Sequence, residues 1–221
     1  MVGAGIHAAR PRPSPAPGET QGTGPVRGGA SIDWQRLIAL NPDTVGWLAV
    51  GGTPIECPIV QPRSAGEEDF YLARGFDRRP ALEGTPYLDI RSEVGGHHLL
   101  LFGHHVVFDQ RAQFSPIYQA FKQEVFDGIA HALWLAPQAA REVFQPLMAL
   151  KVPETFTPIQ RFRFEGDEDL RSWLRSLLDQ AGSCVQNRDE LIAGATRALT
   201  LCTCSEERAG GSDRTLMLFI R

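Results

Sequence analysis

Apolar and other residues alternate along the first half of the chain. Val45, Trp47 and Ala49 recur at every second position up to Gly51-Gly52, and Ile55, Cys57 and Ile59 do the same beyond it. A period of two marks half-buried strands, and the glycine pair between them predicts a hairpin. Further strand-sized apolar runs cover Thr85 to Ile90, His97 to Phe102, Ala130 to Leu135, Val143 to Val152, Ala195 to Thr203 and Arg214 to Ile220. That many strands with short connections predict a mainly β fold, a closed barrel or a sandwich.

One segment switches period. Leu170, Trp173, Leu174, Leu177 and Leu178 stand at i, i+3, i+4, i+7 and i+8, behind Asp167, Glu168 and Asp169 and ahead of Gly182. This spacing predicts an amphipathic helix whose leading acids complement the helix dipole and whose C-terminal stop is Gly182. A shorter helix is predicted after Ser31, its N-cap, with Trp34, Leu37 and Ile38 on one face. Pro42 ends it, because proline disfavours helical geometry in the residue before it. No internal repeat occurs at a fixed period. The expected architecture is a β-barrel with an N-terminal helix and one long crossover helix.

Composition divides the chain in two. Residues 1–30 contain seven Gly and five Pro and almost no large apolar side chain, the signature of a disordered linker. They show neither a secretory h-region nor an apolar run of roughly 18 residues that could span a bilayer. Residues 31–221 have the composition of one soluble domain, and the whole chain is 43% hydrophobic and 22% charged. With a formal charge of -4 and no basic stripe interleaved with aromatics, nucleic acid is not an expected partner. The four cysteines, at 57, 184, 202 and 204, form no C-x-x-C pair and are too few for a disulfide scaffold. No metal or other cofactor is expected.

Candidate chemistry sits at strand ends. The run Thr200-Leu201-Cys202-Thr203-Cys204-Ser205 finishes a strand and enters a polar loop, so Cys204 can be exposed and reactive where a mid-strand cysteine is a small buried hydrophobe. An unperturbed thiol with a pKa near ~8.5 is only about 3% thiolate at pH 7, so a catalytic cysteine needs a base or a cation beside it. His104, in Leu101-Phe102-Gly103-His104-His105, ends another apolar strand and titrates near neutrality. Its plain alternative is a solvated turn histidine. His97 and His98 raise a metal site, but six extended residues from His98 to His104 span about 20 Å, too far for one ion. Arg214 begins the last strand. If that strand and the one ending at Cys204 pair as a hairpin, the guanidinium returns beside the thiol, where it can donate to an oxyanion. Otherwise it is a surface arginine.

These residues together resemble the sortase family, and within it class B. The family signature Thr-Leu-x-Thr-Cys stands as Thr200-Leu201-Cys202-Thr203-Cys204, an arginine follows ten residues later as Arg214, and the Gly-His at a strand end is Gly103-His104. The class B likeness lies in Asn41-Pro42-Asp43-Thr44-Val45-Gly46-Trp47-Leu48, in Ile59-Val60-Gln61, in Phe70-Tyr71-Leu72 with Phe76 behind it, and in the long helix 167–181. It extends over about residues 31–221. The resemblance implies a closed barrel of about eight strands and a cysteine transpeptidase. Such an enzyme cuts a sorting motif of the Asn-Pro-x-Thr kind after its threonine, holds the acyl fragment as a thioester on Cys204, and passes it to an amine of peptidoglycan or of a pilin. By the same resemblance His104 is the acid/base, Arg214 the oxyanion donor, and Leu72, Cys202 and Thr203 substrate-binding residues. His105 is excluded, because the family's histidine directly follows the glycine.

Two departures stand out. Cys202 occupies a position that is usually Ser or another small or apolar residue, and alternation puts it on the same side of the strand as Cys204. It is read as packing, with a redox partner as the alternative. Glu67-Glu68 replaces the Asp-Asn frequent in class B, which would alter how the motif's first residue is held. A papain-like hydrolase is disfavoured by chain order, since His104 precedes Cys204. A non-catalytic peptide-binding barrel would leave the Cys/His/Arg set a coincidence, and water stays open as acceptor. The resemblance also implies work outside the cytoplasm by a membrane-held enzyme. Residues 1–30 are then expected to be the spacer that normally follows such an anchor, the anchor itself being removed by truncation or encoded upstream.

Overall fold

In the computed structural model, residues 32–205 and 211–221 are described; the expected linker 1–30 and the Ser31 cap lie outside them. The described strands are β1 (Thr44–Val50), β2 (Glu56–Val60), β3 (Tyr87–Leu88), β4 (His98–Phe102), β5 (Ala132–Leu135), β6 (Glu142–Pro153), β7 (Ala181–Cys184), β8 (Ala198–Cys204) and β9 (Asp213–Ile220). They form a single sheet in the order β5-β1-β2-β3-β4-β8-β9-β6-β7, and β5 also pairs with β6. That extra pairing closes eight strands into a barrel and leaves β7 as an outer strand on β6. The sheet is mixed, because β2 with β3 and β4 with β8 run parallel. A closed barrel removes the unpaired strand edges of an open sheet.

Two packed layers explain the apolar runs. Leu48, Ile59, Leu99, Leu101, Trp134, Phe144, Leu199, Leu201, Met217 and Phe219 come from nearly every strand and meet in one cluster, the barrel interior. Their alternate neighbours Leu100, Ala198, Cys202, Leu216, Leu218 and Ile220 face outward and join a second cluster with Leu170, Trp173, Leu174 and Leu177. These four belong to α3 (Asp167–Leu177), the crossover helix between β6 and β7 that follows the one-turn helix α2 (Gln123–Phe126). Strands β4, β8 and β9 are therefore covered on both faces, which is why they read as continuous apolar stretches. Burying a Leu or Trp side chain contributes about 1.5–3 kcal/mol, so α3 is held by its stripe more than by helix propensity.

The ends of α3 differ from expectation. The acids Asp167, Glu168 and Asp169 do occupy its first turn, but the helix ends at Leu177 and one 3₁₀ turn, Leu178–Gln180, leads into β7. Gly182 is not the helix stop. It lies inside β7, where a Cβ would come 2.7 Å from the carbonyl oxygen of Phe121, so the missing side chain lets the strand pass close to that segment. At the N-terminal helix α1 (Trp34–Leu40), the N-cap is Asp33, whose carboxylate accepts from the Arg36 N–H at 2.9 Å, and Asn41 ends the helix in extended geometry.

Candidate active site

Three strands bring the candidate residues together through their register. The parallel ladder of β4 and β8 sets Phe102 beside Cys202, so Gly103-His104 leaves the barrel next to Thr203-Cys204. On the other side of β8, the antiparallel ladder with β9 pairs Cys204 with Arg214, as the hairpin expectation required. His104, Cys204, Arg214, Leu72, Cys202 and Thr203 all line one groove of about 590 Å³. The five-residue segment 206–210 of the following loop lies outside the described residues.

Each side chain has a distinct environment. His104 is half-buried and its Nε2 lies 2.8 Å from the Leu72 carbonyl oxygen. A carbonyl can only accept, so Nε2 carries the hydrogen and a neutral ring keeps its lone pair on Nδ1. His105 instead is buried and stacks on Tyr118, with centroids 4.1 Å apart. Cys204 is half-buried whereas Cys202 is buried, and burial pushes the Cys202 thiol up to about 12 despite the opposing charge of Arg214. Thr203 is 2% exposed and its Oγ1 has no hydrogen-bond partner among the described residues, as alternation turns it away from the cysteine face.

Arg214 is anchored on three sides. Its Nη1 donates to the carbonyls of Gly211 at 2.7 Å and Asp213 at 3.1 Å, and its Nη2 donates to Glu154 Oε2 at 2.7 Å. A guanidinium has five N–H groups, so Nε–H and the second Nη2–H have no partner among the described residues. Arg214 and Leu72 also line an adjoining trough of about 470 Å³ walled by Glu68, Asp89, Arg91 and Gln160.

The structure explains motif residues whose spacing alone gave no role. A Cβ at Gly103 would sit 2.6 Å from the Phe114 ring, so only glycine lets the chain turn there into His104. Tyr71 donates through its hydroxyl to Asp43 Oδ2 at 2.7 Å, and Asn41 Nδ2 donates to the Phe76 carbonyl at 2.9 Å. Asp43 in turn pairs with Arg63 at 2.8 Å and Arg78 at 3.4 Å. This buried network pins the 3₁₀ turn Phe70–Ala73, which presents the Leu72 carbonyl to His104. Burial first, and Asp43 second, push the Tyr71 hydroxyl up to about 12. Glu154 was missed because an acidic residue after a strand carries no signal of its own.

No family model matches the chain. Among curated proteins it is similar to Sortase B of Staphylococcus aureus, 25% identical over 187 residues that cover 84% of this chain and 72% of that protein. It is also similar to Sortase B of Listeria monocytogenes, again 25% identical over 187 residues, covering 83% and 71%. Among solved structures, Sortase B of Clostridium perfringens superposes with a TM-score of 0.71 at 21% identity, over 84% of this chain and 97% of that one. The Staphylococcus aureus sortase B–substrate complex gives 0.69 at 23% identity, over 85% and 83%. Sequence relatives spanning most of the chain, a barrel of the same fold and the Cys/His/Arg convergence agree in supporting an assignment to class B of the sortase family, and with it the activity of a cysteine transpeptidase.

Proposed function

We propose that Cys204 is the nucleophile, His104 its acid/base partner and Arg214 the oxyanion donor in cleavage of a surface-protein sorting motif of the Asn-Pro-x-Thr type, followed by transfer to an amine of peptidoglycan or a pilin. The observation that carries this reading is the pairing of β8 with both β4 and β9, which supports one shared groove for all three side chains. His104 takes the Cys204 proton on Nδ1 while Leu72 holds its Nε2–H. The thiolate attacks the threonine carbonyl, and the oxyanion accepts from the N–H groups of Arg214 that have no partner among the described residues. Collapse breaks the C–N bond, His104 returns the proton to the leaving amine, and a thioester remains. An incoming amine then gives a proton to His104 and attacks the thioester; the new amide forms as the C–S bond breaks, and His104 returns the proton to the Cys204 sulfur.

Substrate access fits an extended peptide. Leu72, Leu82, Val107 and Phe108 are exposed large apolar residues, and all four border the groove, as a rim for peptide side chains would. Membership of the family carries a role at the cell surface, and we place the enzyme outside the cytoplasm, held at the membrane. No helix among the described residues is long and apolar enough to cross a membrane. Intact-mass measurement after incubation with a panel of sorting peptides tests the reaction. A mass increase equal to the acyl fragment, lost on adding an amine, is the expected result, and the absence of any adduct across the panel would remove the proposal.

A further inference from the structure

We infer that Gln113 is a positioning residue for the sortase reaction, a single side-chain amide that clamps the backbone of His104 to the turn carrying its carbonyl partner. The inference rests on His104 being the acid/base of the proposed mechanism.

Gln113 reaches both halves of the arrangement at once. Its Oε1 accepts from the His104 N–H at 2.9 Å, and its Nε2 donates to the Gly84 carbonyl at 3.2 Å and to the Glu83 carbonyl. Gly84, at φ +62, packs so tightly on the 70–73 turn that a Cβ would lie 2.5 Å from the Tyr71 oxygen and 2.6 Å from the Leu72 oxygen. Thr85 N–H donates to Tyr71 O at 3.0 Å. Residues 83–85 and the Leu72 carbonyl therefore move as one unit, and Gln113 ties that unit to His104. The adjacent residue completes the grip, because the Phe114 N–H donates to the His104 carbonyl at 3.2 Å.

The residue type matters. Only a primary amide offers an acceptor and two donors from one planar group; glutamate keeps the acceptor alone. Gln113 is also held at φ +46, a left-handed conformation that costs a non-glycine residue of order 1 kcal/mol and persists where the surroundings over-determine it. A strained backbone at the very residue whose side chain bridges two main-chain segments is accounted for by this clamp. Asparagine tolerates the left-handed region but is one methylene shorter, so Gln113→Asn removes the clamp while keeping the backbone conformation. Gln113→Gly removes it and relieves the strain as well.

The test is steady-state cleavage of a sorting peptide, with the pH profile of Cys204 alkylation by iodoacetamide, for wild type, Gln113→Asn, Gln113→Gly, Gln113→Glu and His104→Ala. Displacing a reacting group by about 1 Å costs on the order of a hundredfold. The expected result is therefore a ten- to hundredfold lower kcat in the Asn and Gly variants, KM within about twofold of wild type, and a displaced midpoint of the alkylation profile. The Glu variant, which keeps the bond to His104 N–H, should fall between, and it carries the test if the shorter residues prevent folding. Variants that lose thermal stability but keep native kcat and native pH profile would overturn the inference and leave Gln113 a fold residue. If His104→Ala itself cleaves like wild type, the underlying assignment of His104 fails and the clamp loses its meaning with it. If His104→Ala is inactive and the Gln113 variants are native, only the clamp is wrong.

Discussion

Each end of the β4–β8 ladder carries a histidine, and the two do opposite things. At one end His98 is adjacent to Thr200 across two strands, buried beneath α3, with Nδ1 2.8 Å from the Arg161 carbonyl and Nε2 2.9 Å from Thr200 Oγ1. The carbonyl fixes the hydrogen on Nδ1, so Nε2 accepts from the threonine, and both nitrogens are spent on structure. Rings of Phe162 and Trp173 close over it. At the other end the strands run out of cover, and His104 and Cys204 emerge half-buried into a groove. The same contrast holds within β8, where Cys202 is covered and Cys204 two residues later is not. What separates a packing residue from a candidate catalyst is where the covering layer stops.

The largest test of that contrast exchanges the two thiols. Cys204→Ala is expected to abolish the acyl-enzyme adduct in intact mass spectra, while Cys202→Ser leaves most of it, because a thiol pushed up to about 12 supplies almost no thiolate at neutral pH. Equal loss in both would mean that the edge of cover does not decide reactivity. Next in size is Arg214→Lys. An ammonium keeps the charge but lacks the planar fork that holds Glu154 and, in the proposed mechanism, would hold the oxyanion with it, and losing an oxyanion donor costs about a hundred- to a thousandfold in kcat. A near-native rate would take Arg214 out of the mechanism.

At the covered end the effect is on stability. Burial pushes the His98 pKa down to about 4, against an ordinary value of 6.5. Between those values the unfolded chain binds a proton that the native state refuses, so the His98 contribution is complete above pH 6.5 and is lost as pH falls toward 4. The difference amounts to at most about 3 kcal/mol. Urea unfolding of wild type and His98→Gln across this range should show the wild type losing more stability on acidification. Parallel curves would show that the buried ring is not the titrating group.

Legibility followed the same boundary. Strands β4, β8 and β9 and the helix α3 were readable because two-sided burial leaves unbroken apolar runs and a 3.6 period. β7 was not, since Ala181-Gly182-Ser183-Cys184 holds no large apolar side chain and exists as a strand through its pairing with β6. The predicted strand from Thr85 to Ile90 shrank to Tyr87–Leu88 because its flanks make turn contacts, among them Thr85 with Tyr71 and Arg74. Cys204, His104 and Arg214 announce themselves by chemistry and by resemblance. The Leu72 carbonyl, Glu154 and Gln113 do not, because a main-chain acceptor has no identity in the sequence and the partners lie 32, 60 and 30 residues apart.

The smallest predicted effect asks whether the buried network behind the Leu72 carbonyl matters to the groove. Tyr71→Phe removes one hydroxyl and leaves the ring in its buried place. Asp43 keeps its ion pairs to Arg63 and Arg78, so the carboxylate is not stranded, and the loss is the hydrogen bond to that charged group, about 1.5–3 kcal/mol, together with the one that Asn41 Nδ2 donates to the hydroxyl at 3.0 Å. The turn Phe70–Ala73 retains its backbone bonds, including Leu72 N–H to the Asp69 carbonyl at 3.0 Å, and Gly84 still packs against it. The Leu72 carbonyl should therefore shift little, and kcat should fall by no more than about threefold while thermal unfolding moves down by several degrees. Unfolding curves and peptide cleavage on the same preparation separate the two. A tenfold loss of kcat at unchanged stability would place Tyr71 with the machinery that aims His104 and move the edge of the catalytic region inward to the network.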